Sequence, residues 1–328
     1  MPQLTLIMPA FNAAPFIEEA IGSLLHQTFT DFELWLVDDG STDATRAKMN
    51  LFQDSRIKRF YFNENRGRVV SMNEMVQLVE TDYVSITDAD DVSHPSRLQK
   101  QMTLLNQKPE VAMCGTSYWA VDENGRLIRL VSLSDDYAHI REANLVVPQF
   151  HGPTTIFRTR MVRELDEFYR LYFRKNMADT DLAARVIDQF PSVNLKEPLY
   201  YYRILRTSVS RREFSFRFAM IDRTIIHLSK QRRTSGLDSL QKSDTTELEK
   251  FVKGWEVVYA ADTSRLSREA AFYHLYWKVT DKALQSAWQA FLKRPLFLKN
   301  WFCLGYSLGM SLIYRVKQLI ARHYKQLI

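Results

Sequence analysis

Asp88-Ala89-Asp90-Asp91 sets three carboxylates within four residues, directly after the apolar run Tyr83–Thr87. Acids crowded at the end of a buried strand repel one another, so a counter-cation is expected. Hard oxygen donors suit Mn2+ or Mg2+, and Mg2+ takes one or two carboxylates together with substrate phosphate. The competing reading is an acidic loop capping the helix that Pro95 opens. A second acid pair, Asp38-Asp39, follows the run Phe32–Val37. A carboxylate there can accept the N–H of a pyrimidine ring or hold a ribose hydroxyl. Asp38 is read as turn chemistry instead, because Asp-Gly-Ser-Thr-Asp makes a good turn without any ligand, with Ser41 or Thr42 placed to cap the next helix.

These acids need elements that bring them together. Leu4–Met8 reads as a buried strand, followed by a helix from Pro15 with Ile17, Ala20, Ile21, Leu24 and Leu25 on one face. Phe32–Val37, Ile57–Tyr61, Tyr83–Thr87 and Val111–Cys114 are further strands. Helices between them are expected around Val69–Val79 and from Pro95 to Leu105. Strands separated by helices imply parallel βαβ units, whose ligands bind at the carboxyl ends of the strands. That rule brings Pro9–Asn12, Asp38–Asp39 and Asp88–Asp91 to one edge. After residue 115 the rhythm changes. Ser117–Val121 and Arg126–Val131 flank Asp122-Glu123-Asn124-Gly125, a hairpin signal. A helix is expected near Asp135–Leu145, a strand at Thr154–Phe157 and a helix at Asp181–Ile187. Residues 234–246 read as a linker or mobile loop.

The chain of 328 residues is 46% hydrophobic and 12% aromatic, enough for a real core and for two domains. Two distant cysteines, Cys114 and Cys303, suggest neither a disulfide framework nor a zinc site and fit a reducing compartment. No basic region with a long apolar segment precedes the first strand, so a secretory leader is not expected. The uncharged stretch Trp301–Tyr314 is shorter than the roughly 20 residues a spanning helix needs. The net charge of +6 is uneven. Residues 291–328 carry Lys293, Arg294, Lys299, Arg315, Lys317, Arg322 and Lys325 and no acid. Such a tail suits phospholipid, a phosphorylated lipid carrier or nucleic acid, or is a solvated basic helix. Pro295-Leu296-Phe297, Trp301-Phe302 and Leu312-Ile313-Tyr314 mix bulky apolar groups with interfacial aromatics, which reads either as a membrane-surface element or as terminal helices packed on the catalytic domain.

Taken in order, Met8-Pro9-Ala10-Phe11-Asn12, Gln27-Thr28, Phe32-Glu33, Val37-Asp38-Asp39-Gly40-Ser41-Thr42-Asp43, Asn65-Arg66-Gly67 and Asp88-Ala89-Asp90-Asp91 resemble the family 2 glycosyltransferases. The resemblance covers roughly residues 3–210. It implies an α/β, GT-A, Rossmann-like nucleotide-diphospho-sugar transferase core with a mixed, mostly parallel sheet. It also implies site roles by position. Pro9, Ala10, Phe11 and Asn12 would line the nucleotide pocket, Asp39 would contact the base, and Asp88 and Ala89 would sit near the ribose and diphosphate. Asp90 would be the direct metal ligand, with Asp91 structural. Either Arg66 or Arg68 would lie over the nucleotide.

A metal-dependent inverting transferase also needs a base for the acceptor hydroxyl. Similar enzymes carry Glu-Asp, then Asp-Leu and an arginine. Here the stretch is Ala178-Asp179-Thr180-Asp181-Leu182-Ala183-Ala184-Arg185, so Asp179 occupies the base position and Ala178 replaces the glutamate. The alternative for Asp179 is a helix N-cap. Asp181 and Arg185 are expected as a structural pair. The resemblance further suggests His151 at the acceptor or diphosphate, against a buried structural histidine. Arg203, or Arg206 in a segment with Ser208 and Ser210, would face the diphosphate leaving group.

The expected organisation is a catalytic domain over 1–212, divided into a nucleotide-binding half (1–115) and an acceptor-binding half (116–212), then a helical basic extension over 213–328. The expected activity is metal-dependent inverting transfer from a nucleotide-diphospho-sugar, such as a UDP-sugar, to a glycan or lipid-linked acceptor of surface polysaccharide synthesis. The expected setting is the cytoplasm, at the inner membrane face, with no nucleic-acid partner. Two rivals are a nucleotidyltransferase acting on sugar phosphates and a basic nucleic-acid-binding or membrane-binding protein. The first lacks a glycine-rich basic signature after the first strand. The second lacks aromatics interleaved with its basic charge as a stacking platform.

Overall fold

The computed structural model describes residues 2–205 and 214–326, with side chains through residue 316. Two units divide the chain: Met1–Ser208 with Ile221–Ser243, and Val209–Met220 with Asp244–Ile328.

The first unit is built on one sheet. Strands β1 (Leu4–Ala10), β2 (Phe32–Asp39), β3 (Ile57–Phe62) and β4 (Tyr83–Ile86) run parallel in the order β3-β2-β1-β4. β1 and β2 are buried along almost their whole length, as near-continuous apolar runs must be when both sheet faces are covered. Helices α1 (Ile17–Leu25), α2 (Thr45–Met49), α3 (Arg68–Gln77) and α4 (Arg97–Gln107) make the crossovers. α1 buries Ile17, Ala20, Ile21 and Leu24, the spacing of one helical face, and α4 buries Leu98, Met102 and Leu105. Beyond β4 the sheet is mixed. β8 (Ile156–Arg158) lies antiparallel between β4 and β6 (Met113–Val121), β6 runs parallel to β9 (Ser192–Arg203), and the short β5 (Val92–Ser93) pairs antiparallel with β9. β7 (Leu127–Val131) completes a hairpin with β6 through Asp122–Gly125, where Gly125 has φ +75.

Some local expectations are corrected. β6 runs unbroken through Gly115, where separate strands were expected before and after it. Gly115 serves close packing, because a Cβ there would collide with Asn194 on β9 and lie 2.8 Å from Phe150. Neither Ser41 nor Thr42 caps α2. The Asp43 carboxylate accepts from Thr45 N at 2.9 Å, while Ser41 and Thr42 bond to Asn12 instead. Residues 152–154 form a 3-10 turn before β8; the short helix α5 (Tyr137–Ala143) precedes this turn and α6 (Thr159–Val162) follows β8.

The stretch 234–246 is no free linker in its first half, for Asp238 and Ser239 are buried. Asp238 receives Arg170 Nη1 at 2.8 Å and also pairs with Arg232. Arg232 and Arg233 both hold Asp188 on α7 (Ala178–Gln189). Within α7, Arg185 Nε donates to Asp181 at 2.9 Å and its Nη atoms donate to the carbonyls of Glu167 and Phe168. Helix α8 (Phe216–Ser235), whose residues after Met220 belong to this unit, is thereby tied to α7 by buried charge. Arg206, Ser208 and Ser210 lie outside the described residues.

The second unit contains α9 (Thr246–Ala261), α10 (Arg265–Tyr276), α11 (Thr280–Lys293) and α12 (Leu298–Gln326). Among the described residues, no helix is long and apolar enough to cross a membrane. Cys114 is buried in the first unit and Cys303 in the second.

Breaking a buried ion pair from one side leaves an uncompensated charge, at about 3–5 kcal/mol. Asp238→Ala removes the partner that Arg170 and Arg232 share, leaving Arg170 only the longer 3.7 Å approach to Asp181 and Arg232 its pair with Asp188, so urea unfolding should show a stability loss towards the lower end of that range. A loss below about 1 kcal/mol, the worth of an exposed pair, would mean the network is solvated rather than structural.

Candidate active site

The parallel register brings three strand ends level. Ala10 pairs with Asp38 and Ile7 with Ile86, so Pro9–Asn12, Asp38–Asp39 and Asp88–Asp91 emerge on the same edge of the sheet. Each turn is then fixed by specific bonds. Asn12 takes a left-handed φ of 51, its N–H donating to Ser41 Oγ at 3.0 Å and its Oδ1 accepting from Thr42 N at 2.9 Å. This zips the first turn to the second and leaves the Phe11 ring 48% exposed beside partly buried Pro9 and buried Ala10. Asp38 is fully buried, accepting from Ser41 N at 3.1 Å and pairing with Arg46 at 2.8 Å. Asp39 accepts from Ser71 Oγ at 2.6 Å and from the backbone N–H groups of Arg66 and Gly67 at 3.2 and 2.9 Å. It therefore anchors the loop leading into α3. Gly40, at φ +74, lets that loop approach, since a Cβ would lie 2.6 Å from Asn65 N.

The two candidate arginines go different ways. Arg66 donates to Glu74 at 2.5 Å and lies over the Phe62 ring at 4.5 Å. Arg68 bonds Asp88, and Tyr169 and Asp179 face the same guanidinium. Tyr169 is held in place by a reciprocal pair with Asn73, at 2.7 and 2.8 Å.

Asp88, Asp90 and Asp91 bring one carboxylate oxygen each within 4.8 Å of one another. Asp91 Oδ1 accepts from Arg203 N at 2.7 Å, while its buried Oδ2 meets no donor among the described residues. Burial, and then the charge of Asp88, push the Asp90 carboxyl up to about 7. Burial with Asp90 and Asp88 raises Asp91 as well. Such a set fits a hard divalent cation, which would relieve the crowding and use the unpartnered oxygen. Ala89, between Asp88 and Asp90, is buried and packs in the core of the first unit.

Arg203 supports this loop from behind. Its Nε donates to the Asp90 carbonyl at 2.8 Å, Nη1 to the Glu123 carbonyl at 3.1 Å and Nη2 to Glu19 at 2.6 Å, with the guanidinium 4.9 Å over Phe16. All its nitrogens are thus engaged within the protein.

Asp179 lies in the first turn of α7, entered through Met177 at φ 59. Its carboxylate rests directly on Gly152, where any Cβ would collide with it. Burial raises its carboxyl most, Arg68 opposes and Asp88 adds. The neighbouring His151 stacks on Tyr118 at 4.3 Å and meets Tyr202 edge-on at 4.6 Å. Tyr169 had no signal in the sequence. For the Gly152 contact the one trace is the glycine itself, next to the candidate His151, since glycine is the residue that permits a close approach.

A family model for glycosyl transferase family 2 matches residues 5–166. EpsE of Bacillus subtilis, to which a glycosyltransferase activity is ascribed, is 30% identical over 237 residues, 71% of this chain and 83% of that relative. The Escherichia coli O-antigen biosynthesis glycosyltransferase WbnJ is 27% identical over 225 residues, 66% of this chain and 85% of that one. Among solved structures, S. aureus TarS 1-349 in complex with UDP-GlcNAc aligns with a TM-score of 0.58 at 16% identity, covering 96% of this chain and 92% of that one. The mannosyltransferase PcManGT from Pyrobaculum calidifontis, in complex with GDP-Man and Mn2+, aligns with a TM-score of 0.52 at 18% identity, covering 96% and 87%. These two likenesses describe the fold, a mixed sheet of the GT-A kind.

The Gly152 contact makes a sharp test. Gly152→Ala should displace the Asp179 carboxylate, lowering turnover by about 100-fold while the melting temperature stays within a few degrees. Full turnover in a folded variant would show that Asp179 need not sit there.

The Asp90 carboxyl gives a second test. Its folded value of about 7 lies above the ordinary 3.8, so its contribution to stability is present below the lower value and is lost as pH rises through the upper one. Without divalent cation, wild type should lose thermal stability relative to Asp90→Asn between about pH 4 and 7, and added Mn2+ should remove that loss. A pH-independent difference would rule out the raised carboxyl.

Proposed function

The chain belongs to glycosyl transferase family 2 and is a glycosyltransferase, and from that premise we propose a donor, an acceptor class and a division of labour among its residues. The donor is a nucleotide-diphospho-sugar, a UDP-sugar first among them. The acceptor is a glycan or lipid-linked saccharide of cell-surface polysaccharide synthesis. The displacement inverts the anomeric centre and depends on Mn2+ or Mg2+. The observation that carries this reading is the joining of Asp88, Arg68 and Asp179 into one cluster beside Asp90. The complexes of TarS with UDP-GlcNAc and of PcManGT with GDP-Man and Mn2+ support the donor class and the cation. The role of WbnJ in O-antigen synthesis supports the acceptor class.

In this reading Pro9–Asn12 forms one wall of the nucleotide pocket, with the exposed Phe11 ring available to the base or ribose. Asp39 acts on the base side by fixing the Arg66–Gly67 turn, and its carboxylate has capacity for one donor beyond the three it already accepts. Arg66 flanks the pocket, and Arg68 supplies positive charge next to the diphosphate. Asp90 holds the cation, with Asp88 and Asp91 completing the acidic set. A bound divalent ion would act as Lewis acid and template for the diphosphate.

Asp179 takes the proton of the acceptor hydroxyl as that oxygen attacks the anomeric carbon and the bond to the diphosphate breaks. A carboxyl raised by burial is a stronger base than an exposed one, which suits the task. No covalent enzyme intermediate is required. Arg203 positions the Asp90–Asp91 backbone rather than touching donor. His151, Tyr118 and Tyr202 offer an aromatic wall for an acceptor sugar.

Calorimetry against UDP-, GDP- and dTDP-sugars with Mn2+ tests this directly. At least one donor should bind, and Asp90→Ala should weaken that binding roughly 10- to 100-fold or more. Asp179→Asn should keep donor binding and lose about 10²–10⁴ in transfer rate. If no nucleotide binds with metal present, or if Asp179→Asn transfers at the normal rate, the donor site or the base is wrongly assigned.

A further inference from the structure

Helices α10, α11 and α12 pack on one another through small residues. Ala271, Ala287 and Cys303 form the shared core. The inward line of α12 continues with Asn300, Ser307 and Ser311, all buried. Asn300 is well used there, donating to the carbonyls of Ala290 and Arg294 at 2.8 and 2.9 Å and accepting from Arg268 at 2.7 Å. A surface helix of a soluble domain normally buries its apolar stripe and exposes its polar one. α12 does the opposite.

Its outward side and the turn before it expose Leu296, Leu298, Trp301, Phe302, Leu308 and Leu312, with Leu296 94% and Leu298 80% accessible. The Trp301 indole N–H already donates to the Pro295 carbonyl at 2.7 Å, so the exposed ring has no unmet need for water. Aromatic contacts run on to α11 through Phe291, 4.7 Å from Trp301. An apolar surface of this extent marks an interaction site.

Charge identifies the occupant. Lys293, Arg294, Lys299 and Arg315 are exposed along this stretch, and residues 291–328 contain no acid at all. Arg294 lies 3.7 Å from Asp262 and Lys293 donates to Ser267 at 3.0 Å, so the cations closest to the apolar side chains are Lys299, 5.8 Å from the centre of the Phe297 ring, and Arg315. A second copy meeting this face about a twofold axis would bring the same cationic side chains together, which like-charge repulsion opposes. Among the described residues no helix is both long and apolar enough to cross a membrane. Apolar and tryptophan side chains bordered by lysine and arginine suit the headgroup boundary of an anionic bilayer, with the helix lying in its plane.

We infer that the outward faces of α11 and α12 form an interfacial binding surface for anionic phospholipid. The inference uses no step of the transfer reaction and stands apart from the donor and base assignments.

Cosedimentation of the full chain with vesicles tests it, using phosphatidylcholine alone and phosphatidylcholine mixed with phosphatidylglycerol. The chain should pellet with the anionic vesicles, less so as salt is raised, and Leu308→Gln/Leu312→Gln should cut partitioning at least about tenfold without altering donor binding. Should that variant fail to fold by circular dichroism, Lys299→Glu/Arg315→Glu leaves the apolar side chains intact and should lower binding to the anionic vesicles about tenfold. A wild-type chain that stays in the supernatant overturns the inference, as does a charge-reversal variant that binds like wild type. Equally decisive against it is a stable dimer in sedimentation equilibrium that Leu308→Gln/Leu312→Gln converts to monomer, since the face would then be occupied by a second copy.

Discussion

Three carboxylates ending one strand cannot all be buried and charged, and much of the first unit is arranged around that repulsion. Arg203 reaches the acidic loop from β9 and Arg68 from α3, yet neither neutralises Asp90. Arg203 spends its Nε on the Asp90 carbonyl and its backbone N–H on Asp91, while Arg68 pairs with Asp88. Deeper still, the fully buried Arg97 lies 5.5 Å from the centre of the Tyr200 ring, and burial lowers it to about 10. Among the described residues it pairs with no carboxylate. The loop is thus shaped by cations but left short of positive charge where Asp90 and Asp91 Oδ2 lie, which is the electrostatic condition for a divalent ion.

The same loop explains why the sheet is mixed. After Asp91 the chain turns into β5, whose partner is β9, and β9 in turn runs parallel to β6. The acidic segment therefore bridges the parallel half of the sheet and the strands beyond β8. Arg203, the last residue of β9, can hold it only because that pairing returns β9 to the same edge. On the other side Gly152 precedes β8 and admits Asp179 from α7, so the second half delivers a carboxylate to the edge the first half created. The buried pairs of Arg185 with Asp181, and of Arg232 and Arg233 with Asp188, fix the helix that carries it.

What could be read in advance follows from the range of the interaction. Strands and crossover helices announce themselves through local periodicity, and the carboxyl-edge rule then brings Pro9–Asn12, Asp39 and Asp88–Asp91 together without further information. Contacts that depend on distant pairings leave no such mark. Nothing local distinguishes Arg66, which turns to Glu74, from Arg68, which reaches Asp88 twenty residues on. The polar run from Thr234 looks like a linker because its composition is that of a loop. Asp238 is nonetheless pinned by arginines 68 and 6 residues away. Gly115 is required by the close approach of Asn194 and Phe150, residues 79 and 35 positions further along the chain.

The packing of α10, α11 and α12 in the second unit inverts the usual relation between burial and stability, whereas Tyr259 and Met220 centre an ordinary core of large side chains elsewhere in it. Helices that meet through Ala271, Ala287 and Cys303 gain close approach of their backbones, but alanine and cysteine remove far less apolar surface from water than leucine or phenylalanine would. The larger side chains lie outside, on Trp301, Phe302, Leu308 and Leu312. Packing by small residues is how helices associate where the surroundings are themselves apolar, because there the burial of large side chains offers no advantage. In water alone, α12 forgoes the burial that normally stabilises a terminal helix. A binding surface that covers those side chains supplies that term through linkage, so occupancy of the face and stability of the unit rise together.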